Sequence, residues 1–280
     1  MIAEHFGFGR NWRHFIERYF SEERVETSRT HILDFLGRDN LKGLTFLDIG
    51  CGSGLHSLAA HRAGAARIVS TDFDPQSVEI TKVVRDRYGP SADWEVLEGS
   101  VLDAGLLSRL APADVVYAWG VLHHTGDQWT AFRNVAGLMA ADGHLYIALY
   151  ASGATDPGDD FWLDIKQRYN RAGWLHRRLF ELWYIWRFPM RGQLRKLPDY
   201  VELNRSYSKN RGMSLYTDIQ DWLGGWPMEF STMEEVTAFA ERELELRLVN
   251  LATGEANREY LFARAGQSSE LAPSNEQPGS

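Results

Sequence analysis

The sequence predicts an α/β protein with a doubly wound, mostly parallel sheet flanked by helices. Two observations carry this prediction. Between residues 41 and 150, short apolar segments of strand character alternate with amphipathic helical patterns. The first of these segments, in LDIGCGSGLHSLA (Leu47 to Ala59), enters a helix through three glycines spaced two apart. With 280 residues, the chain can bury one such domain together with an elaboration of it.

The glycines of this first turn predict a binding site for a nucleoside cofactor. Gly50, Gly52 and Gly54 permit a sharp turn and a close backbone approach that a Cβ would obstruct. The helix starting near Leu55 would point its unpaired N–H groups at the bound group. Nicotinamide and flavin loops usually read GxGxxG, whereas this loop reads acid-x-G-x-G-x-G. A glycine-rich turn without a ligand is the alternative interpretation.

The second and third strands follow at the expected spacing. Ala66 to Asp72 reads as a buried strand that ends on a carboxylate, about twenty residues after the glycines, where doubly wound folds place an acid for ribose hydroxyls. Asp74 then acts as a helix N-cap before Pro75. The segment from Asp93 to Asp103 is the third strand with its exit loop.

The fourth strand, Ala113 to Trp119, opens into GVLHHTGDQW (Gly120 to Trp129). Ligands of open α/β sheets bind beyond the carboxyl ends of strands, so His123 and His124 are expected to meet an acceptor there. A helix is predicted from Asp127, a turn from Ala140 to Gly143, and a fifth strand from His144 to Tyr150. The expected core residues of that helix share its 3.6-residue period: Trp129, Phe132, Val135, Ala136 and Met139.

The end of the domain is predicted from residue 232. Thr232 to Glu243 forms a helix with a capping box between Thr232 and Glu235. Leu244 to Ala252 and Arg258 to Ala263 read as two strands of a terminal antiparallel hairpin.

The glycine loop, Asp72 and the GVLHHT loop together resemble the class I S-adenosylmethionine-dependent methyltransferases, over roughly residues 40 to 150 and 232 to 264. The resemblance implies a Rossmann-like, seven-stranded methyltransferase sheet, an enzyme, S-adenosylmethionine as cofactor and S-adenosylhomocysteine as product. It implies that Asp48 faces the methionine amino group, the glycines line the methionine arm, Asp72 binds the ribose hydroxyls and Phe73 lies along the adenine. Ser100 stands where many relatives carry an acid for the adenine amino group. Further expected cofactor contacts are Cys51, Val101, Trp119, Asn11 and Trp12.

A basic, tryptophan-rich insertion is predicted between the fifth strand and the last helix, over residues 151–231. Residues 161 to 213 hold twelve Lys or Arg against four Asp or Glu, although the whole chain carries a net charge of -8. We expect a helical lid that supplies positive charge to an anionic or phenolic acceptor, with Tyr150, Tyr207, Arg211 and Tyr216 contacting it. Arg177 and Arg178 are expected to be solvated. Alternatively, Arg211 only pairs with Asp218 or Asp221.

The remaining segments complete the predicted organisation. Residues 1–40 are expected to form a helical cover, residues 41–150 and 232–265 the cofactor domain, and residues 266–280 a disordered tail. No apolar run of transmembrane length and no signal peptide is evident, so we expect a cytoplasmic protein. The single cysteine excludes an internal disulfide, and no metal site is expected.

The predicted chemistry is displacement at an activated methyl group by a desolvated oxygen or nitrogen nucleophile. His124 is the expected base and His123 its rival or orienting partner, while simple packing of the loop is the alternative for both. The acceptor is expected to be a small molecule or peptide. A nucleic-acid methyltransferase, docking RNA on the basic insertion, is the second hypothesis, and a non-catalytic cofactor-binding or membrane-peripheral protein the third.

Overall fold

The computed structural model of the chain describes residues 16, 20–90, 92–193, 196–203, 215–254 and 256–266. Its centre is one seven-stranded sheet in the order β3-β2-β1-β4-β5-β7-β6. Strands β1 to β5 run parallel, and β7 runs antiparallel to both of its neighbours. The predicted terminal hairpin and the seven-stranded sheet are therefore confirmed. None of the described helices is long and apolar enough to span a membrane.

The strands are β1 (Thr45–Ile49), β2 (Arg67–Asp72), β3 (Trp94–Glu98), β4 (Ala113–Trp119), β5 (Met139–Tyr150), β6 (Leu246–Thr253) and β7 (Asn257–Arg264). The helices on the sheet are α1 (Glu22–Leu36), α2 (Leu55–Arg62), α3 (Pro75–Tyr88), α4 (Ala104–Leu107), α5 (Gln128–Gly137) and α9 (Met233–Leu244). Between β5 and α9 lie α6 (Asp159–Arg171), α7 (Trp174–Arg187) and α8 (Leu215–Gly224).

The side chains of the strands alternate between two hydrophobic cores, one on each face of the sheet. In β1, Phe46 belongs to the core under α1, α2 and α3, whereas Leu47 belongs to the core under α5 and α9. This alternation follows from the two-residue period of a strand whose two faces are both covered by helices.

Helix α1 belongs to one of these helical layers, and a cover formed by residues 1–40 stays a prediction. Val25, Ile32 and Leu36 of α1 are buried in the core beneath α2 and α3. Its N-cap Ser21 accepts a hydrogen bond from the backbone N–H of Arg24, and Gly37 ends the helix at a φ of 64°. Helix α1 therefore contributes directly to the hydrophobic core that supports the sheet.

Most predicted helix signals lie where the sequence placed them. Asp74 caps α3 ahead of Pro75, and Thr232 with Glu235 forms the complete capping box of α9. Asp103 caps the short helix α4 by accepting from the Gly105 N–H, so its carboxylate serves a helix end.

The region from 137 to 143 differs from the prediction. Helix α5 ends at Gly137, and Met139 begins β5 instead of continuing the helix. The predicted turn from Ala140 to Gly143 is an irregularity within that strand, because Ala113 pairs with Met139 while Val115 pairs with His144. Apolar residues at helical spacing did not reveal that the chain had already changed to strand geometry.

The insertion is helical and has a hydrophobic core of its own. Its buried side chains come from α6 and α8: Trp162, Ile165, Tyr169, Leu215, Ile219 and Leu223. Tyr216, an expected acceptor contact, lies inside α8 and donates to Glu181 within the insertion.

Arg177 and Arg178 of α7 are engaged, which corrects the expectation that they are solvated. The Arg177 guanidinium donates to the carbonyls of Tyr169, Asn170 and Ala172 at the end of α6. Arg178 pairs with Glu181 at 2.7 Å. Both side chains therefore hold the helices of the insertion together.

Candidate active site

The candidate site lies where the order of the strands reverses. Strands β1 and β4 are neighbours, yet the chain continues from β1 to β2 on one side and from β4 to β5 on the other. Such a switch point leaves a crevice at the carboxyl ends of the two strands, which is where open α/β sheets bind ligands. The glycine loop follows β1 and the histidine loop follows β4, so both border this crevice.

The two loops touch. Gly50, Gly52 and Gly54 have φ angles of 73°, 54° and 75°, a backbone region that favours glycine. A Cβ built on Gly50 would lie 2.4 Å from Cγ2 of Val121 in the histidine loop. The glycine at position 50 is therefore required by both the turn and the close approach of the two loops.

Asp72 anchors the glycine loop to the end of β2. Its Oδ2 accepts from the Gly52 N–H at 2.9 Å, and its Oδ1 accepts from the Asp74 N–H at 2.8 Å. Each carboxylate oxygen accepts more than one hydrogen bond, so these contacts leave capacity for ribose hydroxyls. Burial raises the pKa of Asp72 to about 6, which is the cost of holding the carboxylate at this position.

Asp48 is turned into the protein. It is 2 % exposed and accepts from Ser57 Oγ at 2.5 Å, and Ser57 in turn contacts Ser70 Oγ at 2.6 Å. Burial raises the pKa of Asp48 to about 7, and the nearby Asp72 charge adds to the effect. These contacts connect the loop to α2 and β2, and a role toward a methionine amino group stays a prediction.

His124 has a defined orientation. Its Nδ1 lies 2.7 Å from the carbonyl oxygen of Pro227, which returns from the insertion. A carbonyl only accepts, so Nδ1 carries the proton and the neutral ring keeps its lone pair on Nε2. Both histidines of the pair are held against the same segment, because the Glu229 N–H donates to the His123 carbonyl at 2.9 Å.

His123 is different in kind from His124. It is 1 % exposed, and among the described residues neither of its ring nitrogens has a hydrogen-bond partner. Burial lowers the pKa of His123 well below its ordinary value, and the positive charges of His124 and Lys166 lower it further. A buried imidazole this resistant to protonation is a poor base, so of the two histidines His124 is the better suited to take a proton.

Comparison with known proteins identifies the family to which this chain belongs. The profile of a methyltransferase domain matches residues 12–210, well over half of the chain. The chain belongs to the class I S-adenosylmethionine-dependent methyltransferases.

Curated relatives of this methyltransferase include two with different acceptors. It is 32% identical over 159 residues to the ribosomal protein L11 methyltransferase of Pseudomonas savastanoi pv. phaseolicola, an alignment that covers 51% of the chain and 47% of the relative. It is 31% identical over 111 residues to the tRNA U34 carboxymethyltransferase of Alteromonas mediterranea, covering 38% of the chain and 32% of the relative. The chain therefore matches less than half of the length of either relative.

Solved structures show the same fold. Magnesium protoporphyrin IX methyltransferase from Synechocystis PCC 6803, crystallised with S-adenosylhomocysteine, superimposes with a TM-score of 0.53 at 13% identity, covering 91% of this chain and 93% of that one. A methyltransferase from Methanococcus maripaludis gives a TM-score of 0.52 at 17% identity, with 93% of each chain covered. The predicted family and fold are confirmed.

The crevice of this methyltransferase fits a nucleoside sulfonium. Asp72 presents a carboxylate at the end of β2, and Phe73 and Trp119 present rings that are 52% and 36% exposed, although apolar side chains of that size are usually buried. Two buried carboxyls with raised pKa values favour a cationic ligand, because a positive charge nearby stabilises their ionised forms.

The predicted adenine-edge residues lie on one loop. Ser100 Oγ accepts from the Leu102 N–H at 3.1 Å, and the Val101 side chain is buried in the core beside α4. The Gly99 N–H donates to the Asp72 carbonyl at 2.9 Å, so this loop lies beside the acid of β2. Cys51 is buried with its Sγ 3.3 Å from Thr81 Oγ1, and burial raises the pKa of its thiol well above the ordinary value.

On the acceptor side, the structure brings together only part of the predicted set. The Tyr150 ring lies 4.4 Å from His123 and 5.9 Å from His124 between centroids. Asn11, Trp12, Tyr207 and Arg211 lie outside the described residues. Tyr216 points to Glu181 within the insertion.

Three residues near the histidines were not predicted from the sequence. Pro227 and Glu229 contact His124, His123 and Gln128 from more than a hundred residues away in the chain. Lys166 is 1 % exposed inside the insertion. A buried lysine at helical spacing among aromatic residues was the one available clue to the last of these.

Proposed function

We propose that this methyltransferase transfers a methyl group by in-line displacement to an oxygen or nitrogen atom of a small-molecule or peptide acceptor that is anionic or phenolic. When bound, the sulfonium supplies an electrophilic methyl carbon. The contribution of the chain is to bind, to orient, to exclude water and to accept a proton.

The observation that carries the proposal is the fixed tautomer of His124 at the carboxyl end of β4. With Nδ1 donating to Pro227, the Nε2 lone pair is the basic site of the ring. A neutral imidazole with a lone pair on Nε2 is suited to remove a proton from a hydroxyl or ammonium as it becomes the nucleophile. His123 is the positioning partner, since it packs against the His124 ring at 4.4 Å between centroids.

The cofactor residues have distinct proposed roles. Asp72 accepts from the ribose hydroxyls and Phe73 lies along the adenine, whose edge meets Ser100 and Val101. Asp48 balances the methionine amino group through its buried charge, while Gly50, Cys51, Gly52 and Gly54 leave room for the methionine arm. Trp119, Asn11 and Trp12 complete this side of the crevice.

The insertion is the proposed lid. Support comes from the segment after α8, which contacts both histidines, and from α8 itself, whose Trp222 ring lies 5.7 Å from the Tyr150 ring between centroids. We propose that residues 151–231 exclude water from the crevice, and that Tyr150, Tyr207 and Arg211 line its acceptor side. Exclusion of water strengthens each charge interaction inside the crevice.

Protein and RNA acceptors compete with this proposal, because the relatives include enzymes named for a ribosomal protein and a tRNA. Those alignments cover less than half of each relative. An incubation with isotopically labelled S-adenosylmethionine and separate metabolite, peptide and RNA fractions decides between them. We expect label in the metabolite or peptide fraction and none with Asp72→Ala; ribonuclease-sensitive label in the RNA fraction would overturn the proposed acceptor class.

A further inference from the structure

A group of buried polar side chains lies between the histidine loop and the lid helices. It consists of His123, Tyr150 at the end of β5, Trp162 and Lys166 on α6, and Trp222 on α8, and we call it the buried donor cluster. No catalytic role proposed above uses Lys166 or either tryptophan.

The rings of the cluster form a continuous wall. The centroid of Tyr150 lies 4.4 Å from His123 and 5.7 Å from Trp222, and Trp222 lies 5.1 Å from Trp162. Neighbouring rings meet at steep interplanar angles of 66°, 72° and 74°. This arrangement extends from the proposed catalytic histidines to the interior of the lid.

The cluster is rich in buried hydrogen-bond donors that have no partner in the part of the chain that the structure describes. Among the described residues, the buried Nε1 atoms of Trp162 and Trp222 and both ring nitrogens of His123 have no partner. An indole nitrogen only donates, and a neutral imidazole donates from one nitrogen. Burying such groups without partners costs free energy, so their concentration in one place indicates a ligand that accepts hydrogen bonds.

Lys166 adds a positive charge at the same place. It is 1 % exposed, donates to the Trp222 carbonyl and lies with Nζ 4.2 Å from the centroid of the Trp222 ring. Burial lowers the pKa of Lys166 to about 7, against a raising effect of Asp221 on α8. An ammonium keeps further N–H donors after one contact, and a nearby anion would restore its ordinary charge.

We infer that the buried donor cluster binds the carboxylate of a planar, ring-bearing acceptor, with Lys166 as counter-cation and the indole and imidazole N–H groups as further donors. This inference rests on the proposed function and names the acceptor class of the same site. A single negative charge is favoured over a dianion, because the cluster offers one cation. Burial raises the pKa of Tyr150, and the nearby carboxylates of Asp218 and Asp221 raise it further, so negative charge is already present beside the cluster. The aromatic wall matches a planar body.

The test is calorimetric titration of the full chain, loaded with S-adenosylhomocysteine, with benzoate, 4-hydroxybenzoate and indole-3-acetate, each beside its neutral amide. We expect at least one carboxylate to bind about tenfold more tightly than its amide. Lys166→Met should reduce that carboxylate's affinity by about 10- to 100-fold and leave the amide unchanged. The matched control is Lys82→Met, which removes an exposed lysine of α3 paired with Glu79.

Proton uptake separates a direct role from a structural one. His123, Trp222 and Asp221 face Lys166. Among these four residues, only Lys166 is expected to gain a proton at pH 8 when an anion binds. Titrations in buffers of different ionisation enthalpy should show that uptake in the parent protein and in Lys82→Met, and lose it in Lys166→Met. Trp222→Phe keeps an aromatic ring and the backbone carbonyl that accepts from Lys166 but removes the indole N–H. It should reduce the affinity for the carboxylate several-fold.

Three results would overturn the inference: equal affinity for carboxylates and amides, a carboxylate preference retained in Lys166→Met, or unchanged binding in Trp222→Phe. If Lys166→Met does not fold, the carboxylate-to-amide comparison and Trp222→Phe decide alone. Failure to bind S-adenosylhomocysteine would instead remove the proposed function. Methyl transfer to neutral acceptors alone would keep that function and remove only this inference.

Discussion

His124 and Pro227 are 103 residues apart in the chain, and the His124 Nδ1 lies 2.7 Å from the Pro227 carbonyl oxygen. This contact joins the histidine loop after β4 to the segment that returns from the insertion. It sets the tautomer of the proposed base by a backbone group, so no side-chain partner is needed to orient the ring.

The first prediction concerns His124 as a base. His124→Ala should lower kcat by about 100-fold or more, as loss of general-base catalysis does, and leave cofactor affinity nearly unchanged. The deficit should shrink as pH rises, because the acceptor then ionises without help. Steady-state kinetics from pH 6 to 9 measure this, with His176→Ala on exposed α7 as control. A deficit of constant size would indicate positioning instead of proton transfer.

A second prediction concerns the contact between the two loops. Gly50→Ala should destabilise the fold and weaken the binding of S-adenosylhomocysteine. The added Cβ would lie 2.4 Å from Val121, and the φ of this residue is 73°. Gly120→Ala is the matched control, because its φ is 76° but nothing lies within 4 Å of an added Cβ. It should show only the backbone strain of about 1–3 kcal/mol. Equal unfolding free energies for the two variants would refute the steric explanation.

The raised pKa of Asp48 leads us to expect an unusual pH dependence of the free energy of unfolding. Its folded pKa of about 7 lies above the ordinary 3.8, so its stabilising contribution is full below about pH 4 and is lost as pH rises through 7. Asp48→Asn keeps an acceptor for Ser57 but removes the charge. Without cofactor, the free energy of unfolding of the variant should rise relative to that of the parent protein between pH 5 and pH 8, by at most about 3 kcal/mol. Urea unfolding at the two pH values tests this, and a difference independent of pH would contradict it.

Glu181 is expected to hold the lid helices together. It is 2 % exposed and accepts from Tyr169 at 2.8 Å, Arg178 at 2.7 Å and Gln220 at 3.2 Å, and also from Tyr216. Glu181→Ala leaves these donors on three helices without their shared acceptor, at a cost of about 3 kcal/mol.

Hydrogen exchange measures this effect on the lid. Protection in α6, α7 and α8 should fall in Glu181→Ala, while the strands of the sheet keep theirs. The control is Arg168→Ala, whose partner Asp164 is exposed and whose ion pair is worth about 1 kcal/mol or less. Undiminished protection of the three helices would show that their hydrophobic core alone holds them.

Local sequence signals predicted the strand ends, the glycine turn and the helix cap around Asp72 well, and long-range contacts explain what they missed. Asp72, Asp74 and the glycines act within a few residues of a strand end or helix start, where chain geometry leaves few alternatives. The partners of His124 and His123, Pro227 and Glu229, come from the end of the insertion, more than a hundred residues away, so no spacing rule connects them. Met139 was misassigned because an apolar residue in register with a helix also suits the first position of a buried strand.

The central claim is that the crevice between β1 and β4 binds the cofactor through Asp72. Calorimetric titration with S-adenosylhomocysteine tests it most directly, comparing Asp72→Ala with Asp74→Ala in the parent background. Because Asp72→Ala loses hydrogen bonds to a charged acceptor, its affinity for S-adenosylhomocysteine should fall by about 10- to 100-fold. Asp74→Ala should bind nearly as the parent does and lose about 1 kcal/mol of stability with its helix cap. Unchanged affinity in the folded Asp72→Ala variant would contradict the account.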